Sequence, residues 1–330
     1  MPCPMPDEFD LIRCHFTRDT HHTALGIGDD AALLRPRDGM EVAVSTDMLV
    51  AGTHFYPDTD PQDLGWKTLA VNVSDLAAMG AQPRWATLAV ALPAPDQAWL
   101  EHFAAGFFAC AEAFDIDLVG GDTTRGPLNL TVTIIGEVPS GQAVTRAGAH
   151  PGDDIWISGA PGRAALGLAQ LRGELQLSPL AAPDYLAALH RPMPRLALGL
   201  ALRGLASAML DVSDGLTGDL GHILSASGTS AVLEYTALPL GPLCAAGAPE
   251  SIALAALLGG GDDYELLFTA AADRRAEVLN RAAGASVAVT RIGQIGPADE
   301  PRLLLQHADG RLTPPGVLGY DHFRSAATGR

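Results

Sequence analysis

Hydrophobic and polar positions alternate with a period of two over several short stretches of the chain, and glycine, proline or polar turn residues bound these stretches. This pattern predicts β-strands at Glu41–Ser45, Trp85–Leu92, Asn129–Glu137, Asp154–Ser158, Ala208–Val212, Ala231–Tyr235, Glu265–Ala270 and Val287–Ile295. Helices are predicted near residues 61–79, 95–114, 161–172, 194–206, 215–226 and 272–283. Strands and helices therefore alternate in both halves of the chain, which predicts an α/β or α+β fold.

Turn and cap residues divide this pattern further. Asp60 followed by Pro61 predicts an N-cap with proline at the first helical position, and Gly80 ends the same helix. The segment Ala147–Asp153 combines glycine, proline and turn formers ahead of a new strand and helix. We therefore predict two domains of similar size, residues 1–148 and 149–330.

Charge excludes some functions and raises a question about aspartate. The 21 Lys+Arg against 38 Asp+Glu leave a net charge of −17, which argues against binding to nucleic acid or anionic lipid through basic patches. Of the 38 acids, 27 are aspartate. The four cysteines form no C-x-x-C pair, and no secretory leader or membrane span is apparent, so a cytoplasmic protein with reduced thiols is expected.

Many of the aspartates lie in five segments rich in glycine or polar residues, interpreted as strand ends or turns. These segments are Gly26–Asp30, Ser45–Asp47, Gly120–Thr124, Asp211–Gly215 and Gly259–Asp263. Asp75 is the exception, because it lies inside a predicted helix one turn after Asn72. Taken singly, each aspartate fits a turn or a cap, and Asp214 fits an N-cap. Together they favour a site that holds Mg²⁺ and phosphate.

Familiar nucleotide-binding loops do not account for such a site. The only lysine, Lys67, lies in a predicted helix, so no Walker A loop is present, and the protein-kinase motifs are missing. The glycine-rich turn Ser158–Leu168 does not fit G-x-G-x-x-G, and we interpret it as a packing turn.

Eight segments read in order resemble the thiamine-monophosphate kinases, a family of the aminoimidazole ribonucleotide synthetase superfamily. They are "GIGDDAAL" (26–33), "STDMLVAGTHF" (45–55), "NVSDLAAMGAQP" (72–83), "LVGGDTTRG" (118–126), "TRAGAHPGD" (145–153), "DVSDGL" (211–216), "GGGDDYELLFT" (259–269) and "GYDHF" (319–323). The resemblance implies a homodimer in which strands of the amino-terminal domain, the ATP/Mg-binding and dimerisation domain, form a barrel across the dimer. It also implies that a carboxy-terminal α/β domain completes the active site.

The resemblance also implies residue roles. The residues implied to bind several Mg²⁺ ions are Asp30, Ser45, Thr46, Asp47, Asp75, Asp122, Asp211 and Asp214. Those implied to contact ATP are Gly121, Asp122, Arg146 and Ser213, and those implied to contact thiamine monophosphate are His54, Glu265 and Tyr320. Asp30, Asp75 and Asp211 are expected to hold ions between the two reactants and so to be the catalytic residues.

The reaction implied is ATP-dependent phosphorylation of thiamine monophosphate to thiamine diphosphate, the last step in making that cofactor. The attacking phosphate is largely a dianion at pH 7, so direct in-line transfer needs charge neutralisation and not a strong base. Two alternatives remain open at this point. One is another ATP-using enzyme of the superfamily, such as an aminoimidazole ribonucleotide synthetase, and the other is a non-enzymatic acidic protein that binds cations.

Overall fold

The computed structural model describes residues 11–299, 302–316 and 319. The chain divides into two compact units: one contains the residues up to Leu76 together with Ala81–Ala143, and the other contains Ala77–Gly80 and the residues from Val144 onward. No helix in these described ranges is long and apolar enough to span a bilayer. Tyr320, one of the expected substrate residues, lies outside the described residues.

The first unit combines an open sheet with two long helices. Its elements are β1 (Thr23–Leu25), β2 (Leu33–Leu34), β3 (Met40–Val50), α1 (Pro61–Ala78), β4 (Gln82–Leu92), α2 (Gln97–Phe114), β5 (Asp117–Arg125) and β6 (Asn129–Pro139). The sheet has the order β3-β6-β4-β5, in which β4 and β5 are parallel and the other pairs are antiparallel. Every second residue of β6, including Val132 and Ile134, is fully buried, as are Leu69 of α1 and Phe103 of α2.

The second unit is built around a larger mixed sheet. Its elements are β7 (Asp154–Ser158), α3 (Arg163–Leu171), α4 (Ala182–His190), α5 (Leu196–Leu202), β8 (Ala208–Val212), α6 (Leu216–Ser227), β9 (Ser230–Glu234), α7 (Gly241–Ala245), α8 (Glu250–Gly259), β10 (Glu265–Ala270), α9 (Arg275–Gly284), β11 (Val289–Gly296), β12 (Leu303–Gln306) and β13 (Leu312–Thr313). The strand order is β13-β12-β9-β11-β7-β10-β8. Ile157, Leu210 and Leu267 belong to one core cluster with residues of α6 and α8. Side chains alternate across a strand, so Trp156 and Phe268, which stack, face the other side.

Three strands have the predicted bounds, namely β7, β8 and β10. These are short runs that are buried along their whole length and end at turn residues, so their limits are clear in the sequence. The six predicted helices are also present, with ends shifted by a few residues. Helices α4, α7 and α8 were not predicted, and neither were the small strands β1, β2, β12 and β13.

Two predicted loops are wrong, because the structure places both inside strands. β3 does not end at Ser45–Asp47 but continues to Val50, paired with β6 along its whole length. Gly120–Thr124 lies within β5 and pairs with β4. Both strands lie at an edge of the sheet and are partly exposed, and there polar residues and glycine are tolerated. The composition of these two segments therefore resembles that of a turn, which is why the sequence predicted a strand end and a loop there.

The two predicted helix caps have different outcomes. The Asp60 carboxylate accepts hydrogen bonds from the amides of Gln62, at 2.8 Å, and Asp63, at 3.3 Å, so it caps α1 as predicted. Asp214 does not cap α6. Gly215 precedes that helix, and no side chain caps it.

A buried aspartate holds the start of the first unit against its sheet. Asp117, 5% exposed at the start of β5, accepts hydrogen bonds from the amides of His21 (2.9 Å) and His22 (2.7 Å) and from the hydroxyl of Thr23 (2.6 Å). Burial works to raise the pKa of Asp117, but these hydrogen bonds outweigh it and leave the pKa below its ordinary value of 3.8. The ionised form is therefore the one that stabilises the fold.

We predict that Asp117→Ala lowers the free energy of unfolding by about 1–3 kcal/mol near neutral pH, because buried donors lose their acceptor. Since the pKa is depressed in the folded state, this stabilisation is present above about pH 3.8 and is lost as the pH falls through the folded value. Urea unfolding of both proteins across this range measures the difference.

The exposed Glu112 of α2 provides the control, and Glu112→Ala should change stability by less than about 0.5 kcal/mol. A cost of Asp117→Ala that stays constant from neutral pH to well below the ordinary aspartate pKa would contradict the prediction.

Candidate functional site

In the first unit, polar side chains of β3 meet polar side chains of α1. The Ser45 hydroxyl donates to the Asp75 carboxylate at 2.5 Å, and the Asp47 amide donates to the Asn72 side-chain oxygen at 3.0 Å. Ser45 and Asp47 share one face of the strand because they are two residues apart. The structure therefore brings together three of the predicted metal residues, Ser45, Asp47 and Asp75.

Two other predicted metal residues of this unit lie apart from that group. Thr46 faces the opposite side of β3, where its hydroxyl lies 2.9 Å from the hydroxyl of Thr133 on β6. Asp30 is exposed in a turn, and its amide donates to the Asp29 carboxylate at 2.9 Å.

Gly121 and Asp122 lie near the middle of β5. At Gly121 the backbone has a φ of +151°, and a Cβ atom there would lie 1.8 Å from the carbonyl oxygen of Leu88. Only glycine fits such a close approach to β4. The exposed Asp122 follows immediately, so the backbone conformation of Gly121 determines the position of the Asp122 Cα and Cβ atoms.

His54 lies in a tight turn after β3. Its amide donates to the Val50 carbonyl at 3.0 Å, and its Nδ1 accepts a hydrogen bond from the Val50 amide at 3.0 Å. Because Nδ1 is an acceptor, the proton of the neutral ring resides on Nε2. The turn therefore sets both the orientation and the tautomer of this histidine.

In the second unit, the predicted residues Asp211, Ser213 and Asp214 follow strand β8, and a second glycine-rich segment lies against them. The amide of Asp262 donates to the Ser213 carbonyl at 2.9 Å, and the amide of Tyr264 donates to the Val212 carbonyl at 2.8 Å. A Cβ atom on Gly261 would lie 2.4 Å from the Ser213 carbonyl oxygen. Residues 211–215 and 259–264 therefore form one packed pair of loops.

Asp219 contacts the first of these two loops and was not among the predicted site residues. It is 4% exposed, and its carboxylate accepts a hydrogen bond from the Asp214 amide at 3.1 Å. Burial raises the pKa of Asp219 to about 7, and the charge of Asp214 acts in the same direction. The amides of Ser213 and Asp214 and the charge of Arg146 oppose this increase.

The glycine-rich turn before α3 is filled by a carboxylate of the same unit. Asp263 accepts hydrogen bonds from the amides of Gly162, at 2.6 Å, and Ala164, at 3.2 Å. Burial raises the pKa of Asp263 well above its ordinary value, although these two amides lower it. The first amides of α3, where a phosphate could otherwise bind, are thus occupied by Asp263.

Glu265, a predicted substrate residue, is 5% exposed and has three hydrogen bonds. Arg195 donates Nε to Oε2 at 2.7 Å and Nη2 to Oε1 at 2.6 Å, and the Ser158 hydroxyl donates to Oε2 at 2.5 Å. The guanidinium therefore binds both oxygens of the carboxylate, an arrangement with strong directional preference. This cluster ties the start of β10 to the end of β7.

Across the ranges 11–299, 302–316 and 319, no group of three or more His, Cys, Asp or Glu residues is arranged to hold a metal ion. Hydroxyl and carboxylate oxygens are nonetheless the donors that Mg²⁺ prefers, and Mg²⁺ is commonly bound through one or two carboxylates plus substrate phosphates.

Comparison with known families covers most of the chain. Residues 28–138 match the N-terminal domain of AIR synthase related proteins, and residues 150–306 match the C-terminal domain of the same group. Thiamine-monophosphate kinase from Escherichia coli K12 is 46% identical over 320 residues, 96% of this chain and 98% of the relative. The chain belongs to the thiamine-monophosphate kinase family. Membership confirms the family resemblance and the predicted fold class.

Solved structures of thiamine-monophosphate kinases agree with this assignment. The enzyme from Stenotrophomonas maltophilia K279a is 48% identical, with a TM-score of 0.80, and the match covers 88% of this chain and 92% of that one. A structure of AaThiL complexed with AMPPCP and TMP is 29% identical, with a TM-score of 0.74 and coverage of 90% and 92%.

Several residues that shape these loops were not found from the sequence. Arg195 and Asp219 each contact a residue that the sequence singled out, yet in the sequence they resemble ordinary helix residues. One signal was available: an acid at the start of a fully buried strand, such as Glu265, requires a partner. The sequence does not identify that partner as Arg195, which lies 70 positions away.

We predict that Arg195→Met lowers the free energy of unfolding by about 3–5 kcal/mol, because it leaves the buried Glu265 carboxylate without its counter-charge. The double variant Arg195→Met/Glu265→Gln should recover part of the loss, since it also removes the unpaired charge. Chemical unfolding of the two variants and the parent protein tests this.

The exposed pair Arg311 and Asp309 provides the control, since both side chains are more than half exposed. Arg311→Met should cost less than about 1 kcal/mol. Equal costs for Arg195→Met and Arg311→Met would show that the Glu265 pair is not the constraint described here.

Proposed function

We propose that this protein transfers the γ-phosphoryl group of ATP to thiamine monophosphate and releases thiamine diphosphate and ADP. The observation that carries the proposal is the 46% identity to Escherichia coli thiamine-monophosphate kinase along 96% of the chain. A relative of similar fold binds AMPPCP, an ATP analogue, together with TMP. Because ATP is the donor, we place the reaction in the cytoplasm.

Charge is the main difficulty of this reaction. A phosphate oxygen of the acceptor forms a bond to the γ-phosphorus while the bond between that phosphorus and the β–γ bridging oxygen breaks. The acceptor is mostly a dianion at neutral pH and needs no strong base. Each pair of unit charges at about 4 Å repels by roughly 4 kcal/mol at an effective dielectric of 20. Catalysis therefore consists of positioning and charge neutralisation.

The oxygen donors of the predicted residues fit Mg²⁺, and several ions would supply this neutralisation when bound. The residues we propose as ligands are Asp30, Ser45, Thr46, Asp47, Asp75, Asp122, Asp211 and Asp214. Among them, Asp30, Asp75 and Asp211 would hold ions between the two reactants. Phosphate oxygens of the two reactants would complete the coordination.

Binding of the two reactants is assigned to separate residues. Gly121, Asp122, Arg146 and Ser213 are proposed to contact ATP, and Arg146 is suited to phosphate because it is always charged and can bind two oxygens. His54, Glu265 and Tyr320 are proposed to contact the acceptor. The Nε2 proton of His54 is suited to a phosphate oxygen, and Arg195 would hold Glu265 in place.

An assay with ATP, Mg²⁺ and one acceptor at a time tests the proposal. Thiamine monophosphate should yield thiamine diphosphate by mass spectrometry, and thiamine and aminoimidazole precursors should yield nothing. Asp75→Asn should reduce the rate at least about 100-fold, because a charge-stabilising group is lost from the reaction centre.

Asp63→Asn, at the other end of α1, is the matched control and should keep the parent rate. Product from another acceptor but not from thiamine monophosphate would reject the proposed substrate. Full activity of Asp75→Asn would reject the metal role, and tight Mg²⁺ binding without nucleotide and without turnover would favour a cation-binding protein.

We further propose that the protein is a homodimer in which the outer face of β3 is covered by a second copy. Val42, Val44 and Met48 on this face are 48%, 59% and 52% exposed, an unusual run of apolar residues on an edge strand. This is the face from which the implied barrel would form.

Val44→Glu should therefore convert the dimer to a monomer, measured by light scattering on a sizing column, because it would bury a charge in the interface. The control is Leu279→Glu on α9, where the leucine is 50% exposed. This variant should remain dimeric. A monomeric parent protein, or a dimer unaffected by Val44→Glu, would contradict the proposal.

A further inference from the structure

Asp219 is a buried carboxyl group to which no role in the reaction has yet been given. It lies in the first turn of α6, and its own amide donates to the Gly215 carbonyl at 3.0 Å. Its carboxylate accepts a hydrogen bond from the amide of Asp214 at 3.1 Å. Asp219 therefore holds the backbone at Asp214, a proposed Mg²⁺ ligand that directly follows Ser213, a proposed ATP contact.

The loop formed by residues 211–215 is held from both sides. Its carbonyl groups at Val212 and Ser213 accept from the amides of Tyr264 and Asp262. Its amide group at Asp214 donates to Asp219. The backbone of this loop thus depends on two different partners, and only one of them, Asp219, acts through a side chain.

Loss of that acceptor would leave the Asp214 amide unsatisfied, a cost the loop could avoid only by moving towards water or another acceptor. Such a movement would displace the Ser213 hydroxyl and the Asp214 carboxylate together. Displacements of about 1 Å can cost roughly 100-fold in rate when a group positions a reactant.

We propose that Asp219 is a positioning residue for the nucleotide side of the site, because its carboxylate sets where Ser213 and Asp214 direct their side chains. The identity of the nucleotide rests on the function proposed above.

The test compares Asp219→Ala, which removes the acceptor, with Asp219→Asn, which retains one acceptor oxygen and removes the charge. Calorimetry with Mg²⁺ and AMPPCP gives nucleotide affinity without any acceptor, and steady-state kinetics give KM for each substrate. Asp219→Ala should raise Kd for AMPPCP and KM for ATP about tenfold, and KM for thiamine monophosphate should change less than about twofold. Asp219→Asn should recover most of the affinity.

Asp153 provides the matched control in the same unit. It is 6% exposed and accepts from the His150 amide at 3.0 Å and the Ser207 hydroxyl at 2.6 Å, and neither residue belongs to the proposed site. Asp153→Ala should lower Tm as Asp219→Ala does and leave KM for ATP unchanged. If Asp219→Ala does not fold, Asp219→Glu replaces it, since one more methylene displaces the Asp214 amide.

Unchanged Kd and KM for ATP in both Asp219→Ala and Asp219→Glu would reduce Asp219 to a structural residue and overturn the proposal. Equal losses in Asp219→Asn and Asp219→Ala would also overturn it, because they would assign the effect to charge. If the parent protein neither binds AMPPCP with Mg²⁺ nor forms product, the proposed function fails instead. The two failures are therefore distinguishable.

Discussion

A carboxylate taken out of water must be given hydrogen-bond donors, and this requirement shapes both units of the structure. The buried or nearly buried acids with such donors are Asp117, Glu137, Asp153, Asp154, Asp219, Asp263 and Glu265. Most of them accept backbone amides of a loop or a helix start rather than a single side-chain partner. In this chain buried acids therefore serve as anchors for segments that have no regular partner in a sheet or helix.

This requirement changes the interpretation of the 27 aspartates in the chain. Some aspartates, such as Asp30 and Asp122, lie exposed at a turn or on an edge strand, where a ligand can reach them. Others, such as Asp219 and Asp263, are directed inward and accept hydrogen bonds from the amides of neighbouring loops. Aspartate suits both tasks because its short side chain reaches nearby amides and presents hard oxygen ligands. The composition alone does not distinguish the two groups.

The sequence predicted most of the regular structure and failed where local composition conflicted with pairing. The bounds of β7, β8 and β10 were clear because each is a continuous buried run. β5 was missed because Gly120 and Gly121 have the character of a turn, whereas pairing with β4 keeps them in a strand. For the candidate site, the loops were found from motif order and resemblance. The partners that hold them, such as Arg195, come from distant positions and leave no local signal.

In the first unit, neutral side chains connect β3 to α1 where two of the proposed Mg²⁺ ligands lie. The Ser45 hydroxyl donates to Asp75, and the Asn72 side chain fixes the backbone at Asp47. A hydroxyl donor lowers the cost of the charge without cancelling it. The Ser45 hydroxyl and the Asn72 side chain therefore connect β3 to α1 through neutral groups, so the fold itself sets the positions from which Asp47 and Asp75 would bind the ions of the proposed reaction.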